Sequence, residues 1–109
     1  MAPADAAILD RLYATILSRR GADPASSHTA RLFSKGRAKI AQKVGEEAVE
    51  TALAAVAGTP EEVVGEAADL IFHLLILLAD CGLAPADIWA ELARREGISG
   101  IAEKAGRAP

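Results

Sequence analysis

Aromatic side chains are scarce in this 109-residue chain, with one Trp, one Tyr and two Phe. β-branched residues are sparse too, which excludes a sheet protein and leaves a core of aliphatic side chains and alanine. A single cysteine, Cys81, excludes an intramolecular disulfide and a cysteine zinc site. There is no basic excess: the net charge is -3, which argues against a nucleic-acid polymer as partner. No apolar run is long enough for a membrane. The longest, Leu70 to Ala79, is interrupted by His73 and falls short of the roughly 20 residues a spanning helix needs. The opening Met1-Ala2-Pro3-Ala4-Asp5 lacks the basic start of a signal peptide. Together these absences predict a cytoplasmic protein with no membrane partner.

What is present is helix-forming. Hydrophobic residues make up 51% of the chain, and alanine and leucine dominate them. A chain of this length reads as one domain, residues 1–109. So small an alanine-rich domain buries little area alone, and a partner subunit is expected. The predicted fold is therefore all-α: a helical bundle of four to five helices completed by dimerisation.

Asp5 can cap a first helix to about Arg20, with Ile8, Leu9, Leu12, Ile16 and Leu17 as its apolar stripe. Gly21 to Thr29 reads as a polar loop, with Leu32 and Phe33 anchoring the chain after it and Gly36 marking a bend. A long helix should then run to about Ala57 and stop at Gly58. Thr59, Pro60 and Glu62 fit the N-cap, N1 and N3 positions of the next helix, with a capping box between Thr59 and Glu62. That helix should reach Asp80 or Cys81. Its second half is apolar nearly all round, which again calls for a partner. Pro85 opens a short helix through Leu92. Residues 95–109 form a glycine-punctuated tail, for which a weak helix or none, and mobility, are expected.

The stretch Lys35 to Glu50 carries the chemistry. Wound as a helix, it places Lys35, Lys39, Lys43, Glu46, Glu47 and Glu50 on one side and Ile40, Ala41, Val44, Ala48 and Ala52 on the other. Glu66 and Asp69 stand one turn apart on the following helix. The Gly58-Thr59 turn makes the two helices an antiparallel hairpin, so Glu47 and Glu50 can face Glu66 and Asp69. Four close carboxylates repel one another unless they are protonated or neutralised. A hard divalent ion, Mg²⁺ or Mn²⁺, suits an all-oxygen set, and zinc does not. Acidic pairs at this spacing are also common on solvated helix faces, so either pair alone is a weak signal. Glu46, the surplus carboxylate, could position a water, act as general base or be a second ligand. Lys35, Lys39 and Lys43 are spaced for a chain of phosphates. The alternative for them is i, i+4 pairing worth a few tenths of a kcal/mol, although lysine ahead of glutamate is the less favourable order. His73, one turn past Asp69, reads as a hydrogen-bonded core histidine.

Glu47-Ala48-Val49-Glu50 followed by Glu66-Ala67-Ala68-Asp69 resembles the metal signature of the all-α nucleoside triphosphate pyrophosphatases, the MazG-like superfamily. The longer run Phe33 to Glu50 and the tail Ser99-Gly100-Ile101-Ala102-Glu103-Lys104-Ala105 are similar to the phosphoribosyl-ATP pyrophosphatase family of histidine biosynthesis. The likeness extends from about Asp5 to Arg107. It departs at Ser27-His28-Thr29, where an aromatic is expected in the middle. The resemblance implies a dimeric helical bundle of the stand-alone form, with Mg²⁺-dependent hydrolysis of phosphoribosyl-ATP to phosphoribosyl-AMP and pyrophosphate. On that basis Glu47, Glu50, Glu66 and Asp69 are the expected metal ligands and Glu46 the catalytic residue. Lys35, Lys39 and Lys43 are expected to bind phosphate. Arg94, Arg95 and Lys104 are candidates for the phosphoribosyl end. The rival readings are a house-cleaning nucleotide pyrophosphatase with the same metal site and a non-catalytic helical dimerisation module.

Overall fold

The computed structural model describes residue 2 and residues 4–107. Met1, Pro3, Ala108 and Pro109, and with them the extremes of the expected N-terminus and tail, lie outside the described residues. Among the described residues every regular element is a helix: α1 Ile8–Arg19, α2 His28–Lys35, α3 Arg37–Ala57, α4 Pro60–Asp80, α5 Pro85–Arg95 and α6 Gly100–Ala105. The all-α expectation holds.

Local chemistry places the helix ends. The Asp5 carboxylate accepts from the Ala7 N–H at 3.0 Å, forming a turn that leads into α1. Gly21, at φ 85, lets the chain leave α1. The expected loop ends two residues early. Ser27 accepts from the Ala30 N–H at 3.1 Å and starts α2, whose Thr29, Ala30 and Leu32 are buried. Gly36, at φ 92, separates α2 from α3, so Lys35 closes α2 rather than opening the long helix. At the head of α4 the Thr59 hydroxyl accepts from the Glu62 N–H at 3.2 Å, with Pro60 in the first turn. That is one half of the expected capping box. Of the two outcomes open for the tail, a weak helix or none, the short helix forms: Ser99 accepts from the Ala102 N–H at 3.0 Å and caps α6.

The hairpin of α3 and α4 is the largest helix pair, and α1 and α2 pack onto it. Ile16, Leu32, Ile40, Leu75, Ile76, Leu78 and Ala79 form the core. Two arginines clasp the end of α4, where carbonyls lack intrahelical partners. Arg20 donates to the Ala79 carbonyl, and Arg37 to both the carbonyl and the carboxylate of Asp80, each at 2.8 Å.

The buried residues of α3 are Ile40, Glu47 and Ala54, spaced by seven, while Ala41, Ala48 and Ala52 are exposed. The long helix turns its acidic stripe inward, because that stripe packs on α4. Its outer face carries Val49, Leu53 and Val56, at 59%, 62% and 87% exposure. The accessible surface is 7252 Å², against about 5,700 Å² for a typical monomer of this mass. The radius of gyration is 16.0 Å, against about 13 Å for a compact chain of this length.

Candidate active site

The inward stripe of α3 meets Glu66, Asp69 and His73, which lie at i, i+3 and i+7 on α4. Glu47, Glu66 and Asp69 each bring one oxygen to within 4.8 Å of the others. Glu47 is 7% exposed. One oxygen of Glu47 and one of Glu66 are buried without a hydrogen-bond partner. Burial, then the charge and hydrogen-bonding proximity of Glu50, then Asp69, push the Glu47 carboxyl above its ordinary pKa. The Glu66 carboxyl is raised chiefly by a hydrogen bond with Glu50, then by desolvation and the charges of Glu50, Glu47 and Asp69. Glu50 is thus adjacent to Glu47 and Glu66, bridging α3 and α4, but outside the tightest group.

Buried oxygens without partners and mutually raised carboxyls are what an all-oxygen cluster shows when its compensating charge is a cation. The residues present therefore fit a hard divalent ion. Three of the four expected ligands converge on one point, and Glu50 stands beside them.

His73 is buried, as expected, and hydrogen-bonded inside the core. Its Nδ1 lies 2.8 Å from the Asp69 carbonyl. A carbonyl only accepts, so Nδ1 carries the hydrogen. Nε2 is buried and has no partner. The ring packs edge-on against Phe72 at 5.4 Å and His28 at 6.2 Å.

Cations border the acidic cluster. The Lys43 ammonium is 3.4 Å from Glu46 and 4.0 Å from Glu47. Lys39 is half-buried one turn earlier, and Lys35 lies across the Gly36 break on α2. Glu46 is not among the converging carboxylates. It accepts from the Gln42 amide at 2.6 Å and from Lys43, and these bonds hold its carboxyl below the ordinary range. Arg94 and Arg95 both bind Glu91, with Glu103 at 3.2 and 3.6 Å, while Lys104 is exposed on α6. The single chain does not gather these three with the carboxylates.

The contact of Gln42 with Glu46 is one that the sequence analysis did not draw, although i, i+4 spacing makes it a helix contact.

An all-helical protein with an acidic centre able to hold a metal ion between two antiparallel helices, and with lysines alongside, is the class that fold and site define. The phosphoribosyl-ATP pyrophosphohydrolase family model matches residues 9–96, and the chain belongs to that family. It is 61% identical over 104 residues to the phosphoribosyl-ATP pyrophosphatase of Paramagnetospirillum magneticum, spanning 95% of each chain. It is 62% identical over 102 residues to that of Azospirillum brasilense, spanning 94% of this chain and 92% of the relative. The Rhizorhabdus wittichii protein of the same name is 63% identical over 99 residues, 91% of this chain and 93% of its own.

Proposed function

We infer that the chain is a phosphoribosyl-ATP pyrophosphatase, hydrolysing phosphoribosyl-ATP to phosphoribosyl-AMP and pyrophosphate in histidine biosynthesis. The observation that carries this reading is the convergence of Glu47, Glu66 and Asp69, with partnerless buried oxygens, in a chain of this family.

Glu47, Glu66 and Asp69, with Glu50 beside them, would hold the ion. Mg²⁺, or Mn²⁺ in its place, would neutralise phosphate oxygens and orient the leaving group. Lys39 and Lys43 bind phosphate oxygens as point charges, and Lys35 extends that role onto α2. Glu46 positions the attacking water. Its depressed pKa suits an acceptor that fixes a water better than one that must take its proton. Arg94, Arg95 and Lys104 reach the phosphoribosyl end only if the α5–α6 ion pairs rearrange, so tail closure is the less supported reading.

The functional unit is a homodimer in the cytoplasm. About 1,500 Å² of surface per chain exceeds what a monomer of this mass exposes, which is within the range of an obligate dimer interface. Val49, Leu53 and Val56 offer a ready apolar face. No single helix among the described residues is long and apolar enough to cross a membrane. α4 and α5 pass that test only as a pair bent by 104°, and the buried part of α4 is used in the core.

Rescue of a histidine auxotroph lacking this step, paired with Mg²⁺-dependent pyrophosphate release from phosphoribosyl-ATP, tests the assignment. Equal turnover across a panel of ordinary nucleotides would instead favour the house-cleaning reading.

A further inference from the structure

We propose that α2 forms the seat of the departing pyrophosphate. Arg31 and Lys35 of that helix would join Lys39 and Lys43 of α3 in a cationic wall beside the acidic cluster, with His28 as a neutral hydrogen-bonding ring at its edge. The proposal rests on the pyrophosphatase reading and adds a subsite to it.

His28, Arg31 and Lys35 are at i, i+3 and i+7, on one exposed side of α2. The opposite side packs into the core through Thr29 and Ala30, and Leu32 is buried beside His28. No acidic residue occurs in α2. The helix starts against the site: the His28 ring meets the His73 ring at 6.2 Å, and His73 is bonded to the Asp69 carbonyl. On α3, Lys43 joins the two regions through its contacts with Glu46 and Glu47. Cations and carboxylates are therefore contiguous.

Lys43 has Glu46 and Glu47 beside it, but among the described residues Arg31, Lys35 and Lys39 form no ion pair. Arg20 and Arg37 pair with Asp80, and Arg94, Arg95 and Arg107 pair with Glu91 or Glu103. Arg31 differs. Among the described residues it uses Nε alone, on the Pro24 carbonyl at 3.2 Å, which aims the side chain without neutralising it. The field at His28 agrees. Its pKa is held below the ordinary value first by burial and then by His73, Arg31, Lys43 and Lys35, all cationic groups or rings.

The chemistry selects the occupant. Water oxygen adds to one phosphorus of the α,β linkage, and the bridging oxygen departs with the bonding pair. One proton is released, and the β- and γ-phosphates leave together. Those two phosphates are the most densely charged part of the substrate. A wall of cations in contact with the metal carboxylates meets that part where it is created, and guanidinium recognises phosphate oxygens in pairs.

The test is product inhibition of the full chain by pyrophosphate and by phosphoribosyl-AMP, with Mg²⁺ present. His28→Ala/Arg31→Ala should raise the inhibition constant of pyrophosphate about tenfold or more and leave that of phosphoribosyl-AMP within about twofold. Arg31→Lys should recover part of the loss. An unchanged pyrophosphate constant, or an equal rise for both products, overturns the seat. Arg31→Gln decides the matter in the same way should the double variant fold poorly. Wild-type protein inert toward phosphoribosyl-ATP would sink the underlying reading instead. In that case calorimetric binding of Mg²⁺-pyrophosphate to the same variants still judges the wall.

Discussion

Glu66 carries the sharpest consequence of the site. Its carboxyl and that of Glu47 have folded-state pKa values above the ordinary one. Such groups favour folding while protonated. Their contribution is complete below the ordinary carboxylate pKa and is lost as pH rises through the raised value. Without divalent ions, the melting temperature should therefore fall as pH rises above the ordinary carboxylate range, and added Mg²⁺ should flatten the fall. Thermal melts with and without a chelator check this, and a fall that Mg²⁺ leaves untouched would remove the ion from the site. Glu66→Gln should raise the metal-free melting temperature by relieving repulsion. It should also abolish the Mg²⁺ shift and cut kcat/KM by on the order of 10²–10³-fold. Glu50→Gln should end Mg²⁺-dependent pyrophosphate release in a protein whose circular dichroism remains helical. The acidic residues themselves were legible in the sequence, because i, i+3 pairs flanking a Gly-Thr turn leave few other ways to face. What spacing could not give was depth. That Glu47 would be buried while Ala48 and Ala52 stayed outside depended on which face of α3 the partner helix covers.

Among the elements, the long hairpin was readable from Gly58, Thr59 and Pro60, whose conformational preferences act locally. Removing the Thr59 hydroxyl by Thr59→Ala should cost about 1 kcal/mol in denaturant unfolding. Gly36→Ala should cost about 1 kcal/mol or more, because φ 92 is unfavourable for a side chain. That substitution would also misalign the lysines on either side of the break, so KM should suffer along with stability. α2 was harder to read. Its signal is one serine cap and two adjacent anchors, too short for a periodic pattern to emerge. α6 was left open between a weak helix and none for a related reason: beyond its Ser99 cap, its order comes from the pairing of Glu103 with Arg94 and Arg95 of α5. Arg94 and then Arg95 hold the Glu91 carboxyl down to about 2. This contribution is present above the ordinary carboxylate pKa and is lost only as pH falls through about 2. Glu103, whose carboxyl is likewise held below the ordinary range, chiefly by Arg107, joins α6 to Arg94 and Arg95, so the α5–α6 junction should stay closed under mild acid, as hydrogen exchange of residues 99–105 would report.

The whole molecule exposes more surface than its mass warrants, and the apolar stripe on α3 shows where part of the excess lies. Sedimentation or light scattering should return about twice the 11.3 kDa chain mass. Leu53→Glu should shift the population toward monomer and lower the melting temperature in a concentration-dependent way. A monomer at micromolar concentration in the wild type would leave that face without a purpose. The sequence pointed to a partner through its composition and the all-round apolar second half of α4. It could not point to the face, since Val49, Leu53 and Val56 are indistinguishable in kind from core residues until the helix they ride on is docked.

The two helices that grip the acidic cluster are joined by a tight turn at one end, and at the other two arginines latch the tip of α4. Between these fastenings, like charges push the rods apart. A cell starved of divalent ions would therefore weaken this protein as well as idle it. Proteases would find the hairpin easier to open, and the supply of magnesium would govern how long each molecule lasts as well as how fast it works.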